Sequence, residues 1–199
     1  MQNRIITISR QFGSGGRTIG KEVADRLGIH CYDSELIEKI ASESGLSKEY
    51  IKDRVEDAQH KSWLGNALSS GRDLETGLST QDFIWHAQRK VILELAQKES
   101  CVIVGRCADY ILRDYENCLK VYIHASMEKR AERIVKVYGE REESPQKRLK
   151  DKDKKRKEYY RFFTDTEWGQ ADNYHIALDS GVLGIETCVD ILAGLYKTK

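Results

Sequence analysis

Residues 5–20 read IITISRQFGSGGRTIG: an apolar run, four glycines within eight residues, then a pattern suited to a helix. This junction decides the fold, because a strand, a glycine-rich turn and a helix in direct succession make an anion cradle. Glycines let backbone N–H groups turn inward, and the helix N-terminus adds about half a positive charge. A cation and a hydroxyl complete such a loop for phosphates and a divalent ion. Here the strand is Ile5–Ile8, the loop Gly13, Ser14, Gly15 and Gly16, the cation Arg17 and the hydroxyl Thr18. Against G-x-x-x-x-G-K-[ST], Gly16 and Thr18 match, while Gln11 replaces the first glycine and Arg17 the lysine. Arginine keeps the charge but presents a planar fork, so its reach to β- and γ-phosphates differs from that of lysine.

Outward from the loop, further short runs rich in Val and Ile read as buried parallel strands: Cys101–Val104, Leu119–Ile123 and Tyr174–Leu178, with His30–Tyr32 a weaker fifth. Helical patterns separate them. Ile19, Val23, Ala24 and Leu27 share a face ending at Gly28; Ser126 caps a helix carrying Met127, Ala131, Ile134 and Val135, closed by Gly139. A last amphipathic stretch runs through Ile185, Val189, Leu192 and Tyr196. Strands alternating with helices predict an open α/β sheet with right-handed crossovers. Two segments break the rhythm. Residues 65–80 are rich in Gly and Ser and read as a mobile loop inside a helical insertion over residues 41–98. Residues 141–163 read as a charged helix with Pro145, the only proline, in its first turn.

The 199 residues suit one domain with a full core. A formal charge of +1 gives no reason to expect a nucleic-acid or membrane surface. No run is long enough to span a bilayer, and MQNRIITISR lacks the apolar segment of a signal peptide. Cys31, Cys101, Cys107, Cys118 and Cys188 are odd in number and form no CxxC pair, which predicts small core residues in a reducing cytoplasm.

In their order along the chain these stretches resemble the cytidylate kinase-like family of nucleoside monophosphate kinases. CYDSELIEK is similar to the family's monophosphate-binding helix, with Ser34 on the pyrimidine or ribose side and Lys39 where an arginine meets the acceptor phosphate. DFIWHAQRKVILELAQ resembles the helix whose Gln-Arg pair approaches the nucleotide, here Gln88 and Arg89. CVIVGRCADYIL occupies the Gly-Arg-Asp motif: Gly105 and Arg106 match, and Cys107 replaces the aspartate. KVYIHASMEKRAER leads to the lid with Arg130 and Arg133, DKDKKRKEYY keeps Asp153 and Arg156, and YHIALDS resembles the last strand.

The resemblance implies a single domain, 1–199, with a three-layer P-loop kinase fold. That fold has a central parallel sheet of about five strands, a helical acceptor-binding insertion (41–98) and a helical lid (141–165). It implies ATP and Mg²⁺, small-molecule substrates, and a monomer or homodimer. The backbone of Gly13–Thr18 with Arg17 would hold the donor phosphates, and Thr18 the Mg²⁺. Arg106 would clamp the acceptor phosphate, with Arg156, Arg130 and Arg133 closing from the lid. Ser34, Lys39, Gln88, Arg89 and Asp153 would bind the acceptor. CMP or dCMP leads among acceptors. The substitutions at Arg17, Lys39 and Cys107 also suit a kinase of another small metabolite, or a nucleotide-binding regulator without turnover.

Each residue has a plainer reading. Arg130 and Arg133 suit a solvated helix face equally well. Residues 147–161 hold nine Lys or Arg against Asp151, Asp153 and Glu158, the look of an ion-paired exposed helix and not of a nucleic-acid surface. The histidines lack metal-ligand spacing, and the aromatic residues around Trp168 suit core packing.

Overall fold

The computed structural model describes residues 3–49, 51 and 80–198. Its centre is a five-stranded parallel sheet in the order β2-β3-β1-β4-β5, formed by β1 (Ile5–Arg10), β2 (His30–Tyr32), β3 (Cys101–Val104), β4 (Cys118–His124) and β5 (Ile176–Asp179). The helices among the described residues are α1 (Gly16–Leu27), α2 (Glu35–Ser44), α3 (Thr80–Lys98), α4 (Ala108–Ile111), α5 (Met127–Tyr138), α6 (Pro145–Thr164), α7 (Ser180–Leu183) and α8 (Ile185–Thr198).

Both faces of β1 are covered, so its residues need not alternate. Ile6, Ile8, Val102, Val104, Val121 and Ile123 join Ile19 and Val23 of α1 and Val189 and Leu192 of α8 on one side. Ile5, Cys101 and Ile103 meet Leu36 and Ile40 of α2, Ile92 and Leu95 of α3, and Leu112 on the other. Each fully buried Ile or Leu contributes about 1.5–3 kcal/mol, which makes this double layer the main source of stability. Gly20 lets α1 approach: a Cβ there would lie 2.9 Å from Val104 Cγ2.

Local signals set the helix ends. Gly28 takes the left-handed conformation (φ 66°), its N–H reaching Ala24 and Asp25 carbonyls. The Ser126 hydroxyl accepts from Lys129 N at 3.3 Å, and Ser144 does the same for Lys147 ahead of Pro145 at the first turn of α6. The last strand begins later than the apolar pattern predicts, at Ile176. Tyr174 closes a 3-10 turn (Ala171–Asn173) and packs among Tyr122, Tyr160 and Trp168. Of the predicted 41–98 insertion, α3 and the end of α2 are described, and the two helices pack together in the core; the 65–80 loop, apart from its last residue, lies outside the described residues.

Register positions the site. Ile8 pairs with Val104, and the next N–H, of Gly105, donates to Ile8 O at 2.9 Å. The C-terminal ends of β1 and β3 therefore leave the sheet side by side, one into the glycine loop and the other into Arg106.

Candidate active site

The loop forms as its glycines predict. Gly13 and Gly15 both have φ 82°, and Ile19 N donates to Gly15 O as α1 begins. The first N–H groups of α1 have no acceptor within the helix, so they face the concavity as donors. Gly16 must lack a side chain, because a Cβ would stand 2.6 Å from Arg10 Cβ. Ser14 turns inward, its hydroxyl donating to the carbonyls of Gln11 (2.9 Å) and Ile123 (3.1 Å). It thus offers the site backbone and no side chain.

The Arg17 and Thr18 side chains, at the end of the loop, already have partners. Arg17 Nε donates to Asp33 Oδ2, tilting the guanidinium toward the β2 side of the sheet. The Thr18 hydroxyl accepts from Arg133 Nη2 at 2.9 Å. Among the described residues no group of three or more His, Cys, Asp or Glu could hold a metal. Thr18 Oγ is one hard oxygen, so a divalent ion fits here only as the ion carried by a nucleotide's phosphates.

Around the loop stand more arginines. Arg10 Nη2 approaches Asp33 at 3.9 Å, and its guanidinium lies over Gly105, where a Cβ would collide with Nη1. Arg156 Nη1 donates to Arg10 O at 2.8 Å, with its guanidinium 5.7 Å from the Phe12 ring centre. Arg106 follows at the end of β3, in a turn where Gly105, Arg106 and Cys107 all have positive φ (79°, 59° and 52°). Gln88 Nε2 holds the Arg106 carbonyl at 2.9 Å. Arg10, Arg17, Arg106, Arg133 and Arg156 thus gather at one end of the sheet, a concentration of cations suited to phosphates.

Several expected contacts are replaced by others. Asp153 does not line an acceptor cleft: Oδ1 accepts from Phe12 N at 2.7 Å and Oδ2 from Arg130 Nη1 at 2.5 Å. Arg130 is no solvated cation; it is 5% exposed and also donates to the carbonyls of Ala125 and Phe12. Gln88 is fully buried, with both ends of its amide engaged, by Arg106 O and by the Tyr159 hydroxyl at 3.2 Å. Cys107 packs in the cluster of Tyr122, Tyr160, Trp168 and Tyr174, and burial pushes its thiol well above the ordinary value. Ser34 and Lys39 are exposed on the β2–α2 side, with Lys39 Nζ 5.7 Å from the Tyr32 ring centre, and Arg89 is exposed on α3. Gln88 thus holds the Arg106 carbonyl and Arg156 the Arg10 carbonyl, while the Ser34, Lys39 and Arg89 side chains are exposed.

Sequence reasoning missed Arg10, Asp33 and Asp109. Asp109 is 2% exposed; it accepts from Ser9 Oγ at 3.3 Å and from the Tyr160 hydroxyl at 2.7 Å. Burial raises its pKa, opposed by those two hydrogen bonds. For α6 the signal was present: Leu149, Asp153, Arg156 and Tyr160 recur at helical spacing, so the two charged residues stand on the face anchored by Leu149 and Tyr160. The opposite face is the expected solvated one, with Lys147 paired to Glu143 and Asp151, and Lys154 to Glu158.

Comparison with known proteins gives the fold and the family. A cytidylate kinase of Archaeoglobus fulgidus is 28% identical over 204 residues, covering 98% of this chain and 95% of the relative. The crystal structure of an uncharacterized protein from Eubacterium ventriosum is similar over 99% of this chain and 100% of that one, with TM-score 0.74 and 28% identity. A shikimate kinase of Bacteroides thetaiotaomicron shares the fold at TM-score 0.57 and 14% identity, covering 98% of each chain. The fold is thus that of a P-loop kinase, and the chain is a nucleoside monophosphate kinase-like enzyme that takes ATP. The cytidylate kinase-like family model matches residues 5–182, and the chain belongs to that family.

Proposed function

We propose that the chain moves the γ-phosphoryl group of ATP to a nucleoside monophosphate, CMP or dCMP first, as a single cytoplasmic domain acting as monomer or homodimer. The observation that carries this reading is the meeting of the Arg106 turn and the glycine loop at adjacent strand ends, linked by Gly105 N to Ile8 O at 2.9 Å. Phosphoryl transfer demands in-line placement, neutralisation of spreading charge and exclusion of water. The loop backbone and Arg17 hold the donor phosphates, and Thr18 contacts the Mg²⁺ that arrives with them. Arg106 bridges donor and acceptor, Arg133 and Arg156 complete the cationic wall, and α6 serves as the lid. Ser34 and Lys39 meet the acceptor from the β2–α2 side and Arg89 from α3, while Gln88 and Asp153 act by holding Arg106 and the loop.

Two observations favour a second acceptor class. Cys107 is buried and the Gln88 amide, which the resemblance brings to the nucleotide, is engaged at both ends, so neither side chain is directed at a pyrimidine acceptor. A coupled ADP-release assay over nucleoside monophosphates and small hydroxylated metabolites separates the readings. Turnover of CMP or dCMP above all other acceptors is expected. Turnover of a metabolite alone selects the second class, and ATP binding without any turnover selects a regulator. Arg106→Ala should lower kcat about 30- to 1,000-fold while leaving ATP affinity within about threefold.

A further inference from the structure

Arg106 sits in backbone that L-residues rarely adopt: it and Cys107 are non-glycine residues with φ 59° and 52°, directly after Gly105 at 79°. Such backbone persists only where its surroundings over-determine it. Two constraints come from neighbours already described, Ile8 O and the Gln88 amide. A third is the buried Asp109 carboxyl, three residues beyond Arg106. It gathers Ser9 Oγ from β1 and the Tyr160 hydroxyl from α6, while the Tyr174 hydroxyl lies within reach of Ser9.

Tyr160 shares a helical face with Arg156 and Asp153, one and two turns earlier. All three land in order on one stretch of chain. Tyr160 meets Ser9 through Asp109, Arg156 meets Arg10 O at 2.8 Å, and Asp153 meets Phe12 N at 2.7 Å. The helix is thereby stitched to the run from the end of β1 into the loop. An apolar side chain would satisfy an aromatic surrounding at lower cost than a carboxyl does, whereas directional hydrogen bonds fix one geometry. We propose that Asp109 is a positioning residue for phosphoryl transfer: through Ser9 and Tyr160 it fixes the Arg106 turn and the Arg156 face of α6 in one arrangement over the loop. This rests on the reading of Arg106 and Arg156 as phosphate-contacting groups.

The test compares Tyr160→Phe, Asp109→Asn and Asp109→Leu in the full chain. Tyr160→Phe removes one hydroxyl and keeps the ring, so it folds even if Asp109→Leu does not. It should lower kcat about tenfold or more with ATP affinity within about threefold. Asp109→Asn keeps an oxygen for Tyr160 and should retain kcat within about threefold of wild type, and Asp109→Leu should lose at least as much as Tyr160→Phe. Backbone hydrogen exchange over residues 105–109 and 153–160 should quicken about tenfold in Tyr160→Phe. A Tyr160→Phe protein that unfolds more easily yet keeps kcat and acceptor KM within about twofold overturns the proposal, as does unchanged exchange in both segments. If wild type turns over no acceptor, the kinase reading fails by itself, and the exchange result still decides whether Asp109 fixes the turn.

Discussion

Arg17 and Asp33 are ion-paired across the mouth of the glycine loop, and Arg10 approaches the same carboxylate at 3.9 Å. The Arg17 side chain is 56% exposed, so the pair adds no more than about 1 kcal/mol to stability. Its consequence lies in binding. Asp33 holds the loop's cation toward β2, and on the proposed role of Arg17 in gripping the donor, nucleotide phosphates would compete with that carboxylate for it.

Competition predicts a sign. Asp33→Asn should tighten MgATP binding about two- to fivefold, because the neutral amide holds Arg17 less strongly. Arg17→Ala should weaken it about tenfold or more, and Arg17→Lys should stay within about threefold. Titration calorimetry of the three variants checks this. Weaker binding by Asp33→Asn would mean that Asp33 orients Arg17 for the nucleotide and does not compete with it.

The pair of Arg130 with Asp153 makes the opposite kind of contribution. Both side chains are largely buried, at 6% and 15% exposure, and Asp153 also satisfies Phe12 N–H. Asp153→Ala leaves a buried guanidinium and a backbone donor without that partner, and should cost about 3–5 kcal/mol. Asp153→Asn keeps an acceptor for Phe12 and should cost less. Urea midpoints at constant m-value measure both, and a loss below about 1 kcal/mol for Asp153→Ala would show that solvent replaces the pair.

Much of the fold was legible because its signals are local. Cys101–Val104 and His30–Tyr32 form strands over their full predicted lengths, and Gly28, Ser126 and Gly139 end or begin helices where expected. The loop was legible for the same reason. What the sequence concealed is pairing at a distance: Asp109 meets Ser9 across 100 positions and Asp153 meets Phe12 across 141. No periodicity reports such contacts. Arg130 is an intermediate case, standing at helical spacing between Met127 and Ile134, where its burial is consistent with the apolar face. Cys107 was misleading because alignment with the family's aspartate says nothing about a left-handed turn, which swings the side chain into the aromatic cluster.

Cys107→Asp is therefore predicted to damage the protein and not to restore a pyrimidine pocket. The new carboxylate would be buried beside Asp109, among Tyr122, Tyr160, Trp168 and Tyr174. An unpaired charge there should cost about 3 kcal/mol or more, which lowers Tm by roughly 6–12 °C for a chain of this size. Scanning calorimetry gives the stability change and an ADP-release assay gives CMP use. A stable variant with raised CMP turnover would mean that the Cys107 position faces substrate.

Asp109 supplies a pH dependence whose direction follows from its burial. Its carboxyl binds a proton more tightly in the folded chain than the ordinary value of 3.8, because burial outweighs the hydrogen bonds from Tyr160 and Ser9. Below that ordinary value the group is protonated in both states and contributes no slope. As pH rises above it, the unfolded chain ionises first, unfolding releases a proton, and the folded state loses stability relative to a residue that cannot titrate. The loss ends once pH passes the raised folded value. Comparing wild type with Asp109→Asn cancels the other carboxyl groups. Above about pH 4 wild type should lose ground to the variant by at most about 1.4 kcal/mol per pH unit, until pH passes the raised folded value. Urea midpoints of both proteins at each pH provide the measurement. A difference that moves the other way would mean that Asp109 is ionised in the folded protein, with Tyr160 and Ser9 stabilising a carboxylate beneath the Arg106 turn.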